Sequence, residues 1–185
     1  MDKKEALKIV QESGRELENL PDEFKKDYEI VLEAVKNHGN ALEYADESLK
    51  KDKEIVLIAV KFMGYNLEHA DDSLKKDKEI VLEAVKSMGY ALKYADDSLK
   101  KDKKIILAAV KQSGSALEYA DDSLKKDKKF ILKVIKDGLS LEYADDSLKK
   151  DKKFILEIIK DGHSLEYVDK KLKGNKEIVL AAVKQ

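Results

Sequence analysis

Five pairs of adjacent acidic residues recur along the chain and are its first candidates for chemistry. They are Asp46-Glu47, Asp71-Asp72, Asp96-Asp97, Asp121-Asp122 and Asp145-Asp146. If successive segments stack, the pairs align into a ladder of carboxylates, and Ca²⁺ takes roughly six to eight oxygen ligands. Each pair precedes Ser-Leu-Lys-Lys, however, and aspartate caps such turns and pairs with neighbouring lysines. Because no glycine-bearing calcium loop accompanies the pairs, we interpret them as capping residues and predict no metal site.

The three histidines, His38, His69 and His163, fall at three different positions of three different segments. A metal site needs converging ligands, and a catalytic triad needs a histidine beside a nucleophile and an acid. The chain has no cysteine, which excludes thiolate metal sites and a cysteine nucleophile. His38 precedes Gly39 at a predicted helix end, where a protonated ring interacts favourably with the helix dipole. We therefore predict no catalytic residue, no cofactor and no enzymatic activity.

Lysines recur in groups beside the acidic pairs. They are Lys50/Lys51/Lys53, Lys75/Lys76/Lys78, Lys100/Lys101/Lys103, Lys125/Lys126/Lys128 and Lys149/Lys150/Lys152. A regular basic row is able to follow a phosphate backbone. However, 37 basic residues are balanced by 38 acidic ones, whereas nucleic-acid-binding domains usually have a clear basic excess. This balance favours a solvated ion-pair surface, and a nucleic-acid-binding or metal-binding array is the less favoured alternative.

One aromatic position is the best candidate for an interaction surface. It is filled by Tyr44, His69, Tyr94, Tyr119, Tyr143 and Tyr167, here called the tyrosine row. The position lies about 200° around a helix from the main apolar face, and tyrosine is enriched at binding hot spots, so the row is suited to gripping a peptide. The alternative, which we favour, is that each ring packs on the next unit and exposes only its hydroxyl.

All these recurrences belong to one tandem repeat. The string SLKKDK starts at Ser48, Ser73, Ser98, Ser123 and Ser147. The glycines at 14, 39, 64, 89, 114, 138 and 162 are spaced by 25 residues four times and then by 24 residues twice. Because no linker or low-complexity segment interrupts the pattern, we predict a single domain over residues 1–185.

Each repeat predicts one long helix and one short one. In residues 52–64, Asp52 is expected as the N-cap and Gly64 as a left-handed C-terminal residue. Between them Ile55, Val56 and Ala59 begin an apolar stripe on one face of a 3.6-residue helix. The following residues predict a helix of about two turns, and then a single 3₁₀ or α turn at Ser-Leu-Lys-Lys. A two-turn helix alone is marginal, so each unit is expected to bury its apolar face by stacking on the next.

The two ends of the chain depart from this pattern. Glu5 stands where later units have isoleucine, which predicts a polar N-terminal cap helix at about residues 2–14. Pro21 stands at the position of Asp46, just before a new turn, where proline is tolerated as a first helical residue. The last helix keeps the full apolar stripe of an interior helix, and we expect weak self-association through residues 176–185. That stripe consists of Ile178, Val179, Ala182 and Val183.

The repeat DKEIVLEAVKSMGYALKYADDSLKKD, with its close copies, resembles a family of short tandem helical repeats catalogued as domain of unknown function four-one-one-six. The shared features are the Asp-Lys-Glu-Ile-Val-Leu-x-Ala-Val-Lys helix, the glycine and the Ala-Leu-Glu-Tyr-Ala segment, over essentially residues 14–185. The resemblance implies a modular helical repeat and no catalytic residues. The five unchanged copies of SLKKDK also fit an idealised or designed array.

Together these features predict an all-α, superhelical solenoid of about seven repeats of two helices each. We expect a non-enzymatic scaffold that binds a protein or peptide, with a designed repeat protein without a natural function as the alternative. The N-terminus lacks the apolar core of a secretory signal and no apolar run is long enough to span a membrane, so we expect a cytoplasmic protein with no membrane partner.

Overall fold

A computed structural model describes residues 1–137, 141–160 and 165–184. Within these ranges the chain is built of α-helices, 3₁₀ helices and turns, and no strand occurs. The long helices are α1 (Lys3–Glu12), α2 (Tyr28–Asn37), α3 (Lys53–Phe62), α4 (Lys78–Ser87), α5 (Lys103–Gln112), α6 (Lys128–Lys136), α7 (Lys152–Lys160) and α8 (Lys176–Ala182). They recur with the repeat, which confirms the predicted all-α repeat fold.

Helix α4 shows why each repeat forms a long helix. The Asp77 carboxylate caps it by accepting hydrogen bonds from the backbone N–H groups of Glu79 and Ile80, at 2.8 and 3.2 Å. The predicted stripe of Ile80, Val81, Ala84 and Val85 is fully buried. Each buried Ile or Val side chain contributes roughly 1.5–3 kcal/mol relative to exposure. Burial of this stripe is therefore the main driving force that holds α4 in place.

The second element of the repeat is a 3₁₀ helix. It covers Gly14–Asn19, Gly39–Tyr44, Gly64–His69, Gly89–Tyr94 and Gly114–Tyr119. Six residues make two turns of 3₁₀ helix, so the predicted number of turns is confirmed and the winding is tighter than α. The corresponding segments after α6 and α7 begin at positions 138 and 162, which lie outside the described residues.

A single turn completes the repeat, as predicted. It is a 3₁₀ turn at Leu49–Lys51, Leu74–Lys76 and Leu99–Lys101. It is a short α-helix at Asp22–Lys25, Asp122–Lys126, Asp146–Lys149 and Lys170–Lys173. A leucine of this turn, such as Leu74, Leu99 or Leu124, is buried and anchors the turn to the core.

Successive units pack through two layers. Each long helix contacts the next one from α1 to α8, and each described 3₁₀ helix contacts the next. The core lies between the layers, where the stripe of α4 packs with the fully buried Leu92 of the following 3₁₀ helix. Neither layer is able to bury its apolar side alone, so the units are stable only when they stack on one another.

A backbone hydrogen bond also joins each unit to the one before it. The N–H of Asp71 donates to the carbonyl oxygen of Lys50, and that of Asp96 donates to Lys75, both at 3.0 Å. The equivalent pairs are Asp46–Lys25, Asp121–Lys100, Asp145–Lys125 and Asp169–Lys149. These bonds give the array a continuous backbone link that an isolated repeat cannot form.

The glycines that follow the long helices correct one prediction. Gly64 does not take the expected left-handed conformation, and the residue before it, Met63, is extended with φ −153°. Instead, a Cβ atom at Gly64 would lie 2.1 Å from the carbonyl oxygen of Ala84 in the next unit. At Gly14 the corresponding distance to the oxygen of Ala34 is 2.2 Å. Glycine is required here because the backbones of neighbouring units approach each other closely.

The N-terminal end is polar, as predicted, and its residues form a defined cap. The N–H of Glu5 donates to the carboxylate of Asp2, and the N–H of Asp2 donates to the carboxylate of Glu5, both at 2.9 Å. This capping box holds Glu5 in solvent at the position of the buried Ile30. Pro21 lies just before the helix Asp22–Lys25, as the sequence predicted, and is the N-cap of that helix. Since proline has no N–H, Pro21 cannot make the inter-unit bond that Asp46 makes.

At the other end, helix α8 packs on α7 with part of its apolar stripe. Ile178, which we expected on a bare face, is fully buried. Val179 and Val183 are exposed, and Val183 reaches 74 % exposure. The exposed apolar surface of α8 is therefore smaller than the sequence predicted, because Ile178 is not part of it.

Candidate functional site

The tyrosine row is positioned by the 3₁₀ helices. Tyr44, His69, Tyr94 and Tyr119 are the last residues of their 3₁₀ helices and are half-buried. Tyr44, Tyr94, Tyr119 and Tyr143 pack against the apolar core. Tyr167 is more open, at 36 % exposure.

A second aromatic position, which sequence reasoning missed, covers part of the row. Tyr65 makes an edge-to-face contact with Tyr94 of the next unit, with ring centroids 5.3 Å apart. Tyr90 contacts Tyr119 in the same way at 6.1 Å, and its hydroxyl hydrogen-bonds Ser115. The signal was present, because Tyr65 and Tyr90 each follow the repeat glycine directly. Each ring of this second position thus bridges two units.

Hydrogen bonding keeps the hydroxyl of Tyr65 protonated. The carboxylate of Glu68 and the hydroxyl of Tyr94 raise the pKa of Tyr65 well above its ordinary value of 10.0. The pKa of Glu68 is lowered in turn, chiefly by Tyr65. The raised pKa of Tyr65 makes its phenol no candidate for a nucleophile or base near neutral pH.

Two clefts on the surface are related by one repeat. The first is lined by Asp72, Lys75, Lys76, Tyr94, Ala95, Asp96 and Asp97. The second is lined by Asp97, Ser98, Lys100, Lys101, Tyr119, Ala120, Asp121 and Asp122. A shift of 25 residues converts every residue of the first cleft into one of the second, which adds only Ser98. Their volumes are about 270 and 660 Å³. A tyrosine of the row therefore forms one wall of a repeating cleft.

The inner aspartate of each acidic pair caps the adjacent turn. Asp96 accepts hydrogen bonds from the N–H and the hydroxyl of Ser98, at 3.0 and 2.6 Å. These bonds, the hydroxyl bond first, lower the pKa of Asp96 below its ordinary value of 3.8. Asp46, Asp71, Asp121 and Asp145 are held in the same way by the serine two residues later, which confirms the capping interpretation.

The outer acidic residue of each pair points to solvent. Asp97 forms an ion pair with Lys100 at 2.9 Å, yet 92 % of its side chain is exposed. In the ranges that the structure describes, no three acidic or histidine side chains come together in a way that could hold a metal ion. The outer carboxylates are accordingly available as surface charges of the clefts.

A family model described as a domain of unknown function (DUF4116) matches the chain six times. The matches cover residues 2–50, 52–100, 77–125, 102–149, 127–173 and 151–185. The chain belongs to the DUF4116 family. No curated protein and no solved structure matches it. The residue range 52–100 holds two of the units described above, so the DUF4116 match reflects a pair of stacked repeats.

In this DUF4116 array several lysines form ion pairs with acidic residues of the next unit. Lys53, at the start of α3, reaches the N-cap Asp77 of α4 at 2.9 Å and Glu79 at 2.8 Å. Hydrogen bonds to Glu79 and Asp77 raise the pKa of Lys53 to about 12. The same rung recurs at Lys3–Asp27, Lys78–Asp102, Lys103–Asp127 and Lys128–Asp151. Tyr28 interrupts the series, and its hydroxyl donates to Glu54 at 3.0 Å.

The structure does not bring the histidines of this DUF4116 chain together. His38 accepts a hydrogen bond from the guanidinium of Arg15 at 3.1 Å, and burial and the Arg15 charge lower its pKa. Both effects disfavour the protonated ring on which the predicted dipole role of His38 depends. His69 packs edge-to-face on Tyr65 at 5.9 Å, and His163 lies outside the described residues.

None of the helices within the described part of the chain combines the length and the apolar character needed to cross a membrane.

Proposed function

We propose that this DUF4116 array is a non-enzymatic scaffold whose tyrosine-walled clefts bind an extended segment of a partner protein. The observation that carries the proposal is the recurrence of one cleft, with the same residues, at an interval of one repeat. The clefts recur at a regular interval along the array. An extended peptide presents its side chains at regular intervals, so it suits such a surface.

The chemistry of the cleft walls supports a peptide. Tyr94 and Tyr119 offer a flat apolar ring held rigidly by the core, which lowers the entropic cost of binding. Beside each ring stand exposed charges of both signs, such as Asp97 and Lys101. A peptide with an apolar side chain between charged ones matches this arrangement.

The same walls disfavour the alternatives. A nucleic acid strand along the clefts would face the outer carboxylates together with the lysines, and the row of acids opposes the field that phosphates require. Among the described residues, the shifted pKa values belong to caps, ion pairs, tyrosines, Glu68 beside Tyr65 and one histidine bound to arginine. Because the shifts come from capping bonds, ion pairs and contacts between neighbouring side chains, we assign no catalytic role to these groups.

A library selection tests the proposal. Random peptides displayed on phage are selected on the immobilised chain, and enriched peptides are synthesised and titrated calorimetrically. The decisive variant is Asp97→Lys, because Asp97 lines both clefts and its exposed ion pair contributes little to stability. Glu79→Lys is the matched control, since Glu79 is an exposed acid outside both clefts.

We expect Asp97→Lys to weaken the enriched peptides about tenfold or more, as the loss of a charge contact in a binding site does, and Glu79→Lys to change little. Failure to enrich any peptide would favour the alternative of an idealised array without a natural ligand. Equal binding to both variants would place the peptide site elsewhere and contradict the proposal.

A further inference from the structure

The interval between the two tyrosine-walled clefts decides which form of extended chain fits them. Lys75 joins equivalent residues of two units: its N–H donates to the carbonyl oxygen of Asp71 at 3.2 Å, and its carbonyl oxygen accepts from the N–H of Asp96 at 3.0 Å. Two hydrogen bonds and one residue therefore separate Asp71 from Asp96, a distance of about 10 Å at most. Helices in contact, as α4 and α5 are, lie about 8–10 Å apart. The clefts thus recur every 8–10 Å or so.

A polyproline II helix matches this interval. It rises about 3.1 Å per residue with three residues per turn, so the same face returns after about 9 Å. A β-strand returns the same face after about 7 Å and again after about 13 Å, and both positions miss the next cleft. An α-helix returns its face after about 5.4 Å, so only every second turn would lie near a cleft. Among these regular conformations, polyproline II is the one that places each of its turns in a cleft.

The cleft walls offer the surface that this conformation requires. Each cleft combines a tyrosine with the buried alanine that follows it, Tyr94 with Ala95 and Tyr119 with Ala120. The ring of Tyr65 supports that of Tyr94 edge to face, with centroids 5.3 Å apart. Proline-rich segments dock on aromatic-lined grooves, and their preformed helix loses little conformational entropy on binding. A proline at every third position is therefore suited to these walls.

The charges of the clefts favour a basic ligand. Each cleft has three aspartates and two lysines, which leaves one net negative charge. In the ion pair of Asp97 with Lys100, 92 % of the aspartate side chain is exposed but only 22 % of the lysine side chain. The pairs one repeat before and one repeat after show the same difference. The other lysine of each cleft, Lys76 or Lys101, lies 3.9 or 3.7 Å from an inner aspartate. An exposed carboxylate thus recurs once per repeat.

We infer that the clefts bind a proline-rich, basic segment of a partner protein in the polyproline II conformation, an inference that rests on the function proposed above. Every third residue of the segment is a proline, and successive prolines lie on Tyr94 and Tyr119. An arginine of each turn faces an outer carboxylate such as Asp97, since a guanidinium group is able to donate two parallel hydrogen bonds to a carboxylate. The two clefts together hold two turns, about six residues of the segment.

Titration of defined peptides tests the inference. The probe is a fluorescent peptide with three copies of Pro-Pro-Arg, and its anisotropy is followed as the full chain is added. One comparison peptide has the same prolines and arginines sorted into two blocks, and another has three copies of Pro-Pro-Glu. We expect the probe to bind about tenfold tighter than either, because only the probe combines the spacing with the charge. Asp97→Lys should weaken the probe about tenfold, and Glu79→Lys, outside both clefts, should change little.

A peptide of alternating valine and arginine separates this inference from the proposed function. It has the same kind of charge at the spacing of a strand. If it binds as tightly as the probe and loses affinity in Asp97→Lys, the clefts bind peptides in another conformation; the inference is then wrong and the proposed function stands. Equal binding of the block peptide or the Pro-Pro-Glu peptide would likewise overturn the inference. If none of these peptides binds, the inference also fails, while selection from the random library still decides the proposed function.

Discussion

At the scale of single residues, the units contact each other closely where a glycine has no side chain. Gly64 provides no Cβ, and the carbonyl oxygen of Ala84 occupies the space where that atom would lie. The N–H of Gly64 also donates to the hydroxyl of Ser87, at 3.1 Å, in the next helix. Gly14 and Gly89 make the same kind of bond to the side chains of Asn37 and Gln112. The repeat glycine is thus a point of contact between backbones.

This role predicts that Gly64→Ala destabilises the chain. The added Cβ would overlap a backbone oxygen at 2.1 Å, which cannot move without displacing α4. Overpacking of this kind costs about 1–3 kcal/mol. Gly174→Ala is the matched control, because its Cβ meets nothing closer than 3.9 Å and its φ is −87°. Gly174→Ala should stabilise by about 0.4–1 kcal/mol. Urea unfolding measures both, and a stable Gly64→Ala variant would refute the close approach.

At the scale of elements, each turn between units is a small capped structure. The five inner aspartates, Asp46, Asp71, Asp96, Asp121 and Asp145, each accept from a serine, and the serine hydroxyl is the main cause of their lowered pKa values. The N–H of each aspartate meanwhile binds the preceding unit. A single residue therefore closes its own turn and attaches that turn to the stack.

These lowered pKa values predict how stability depends on pH. A carboxyl group that is more acidic in the folded chain adds stability above its unfolded pKa, and that stability is lost as the pH falls through the folded value. With an ordinary value of 3.8, the contribution should be complete above about pH 5 and decline below it. Ser73→Ala removes the hydroxyl bond to Asp71, so the stability difference between this variant and the wild type should shrink as the medium becomes acidic. Urea unfolding at several pH values measures it, and a difference that does not change with pH would contradict the assignment.

The long helices were predictable because their signals are local. An aspartate at the N-cap and a stripe such as Ile80, Val81, Ala84 and Val85 lie within one helix. The 3₁₀ winding was not predictable, since over six residues a spacing of three fits both helix types. The contact of Tyr65 with Tyr94 and the shared walls of the clefts depend on how two units are placed against each other. No period within a single unit specifies that placement.

At the scale of the whole molecule, the chain is a one-dimensional stack in which every unit contacts its neighbours. The long helices, the 3₁₀ helices and the Asp–Lys backbone bonds each form a line along it. In such arrays stability is a sum of terms for units and interfaces, so interior units with two neighbours are more stable than terminal ones. Helices α1 and α8 each contact one other long helix, whereas the long helices between them contact two.

The central claim is that successive units are joined backbone to backbone, and residue-resolved amide hydrogen exchange tests it most directly. The N–H groups of Asp46, Asp71, Asp96 and Asp121 each donate to the preceding unit at 3.0 Å. Their exchange should be as slow as that of the amides within α3 and α4, with protection falling toward both ends of the chain. If the Asp71 and Asp96 amides exchange as fast as those of an unfolded chain while the α4 amides remain protected, the helices form without this link and the claim is wrong.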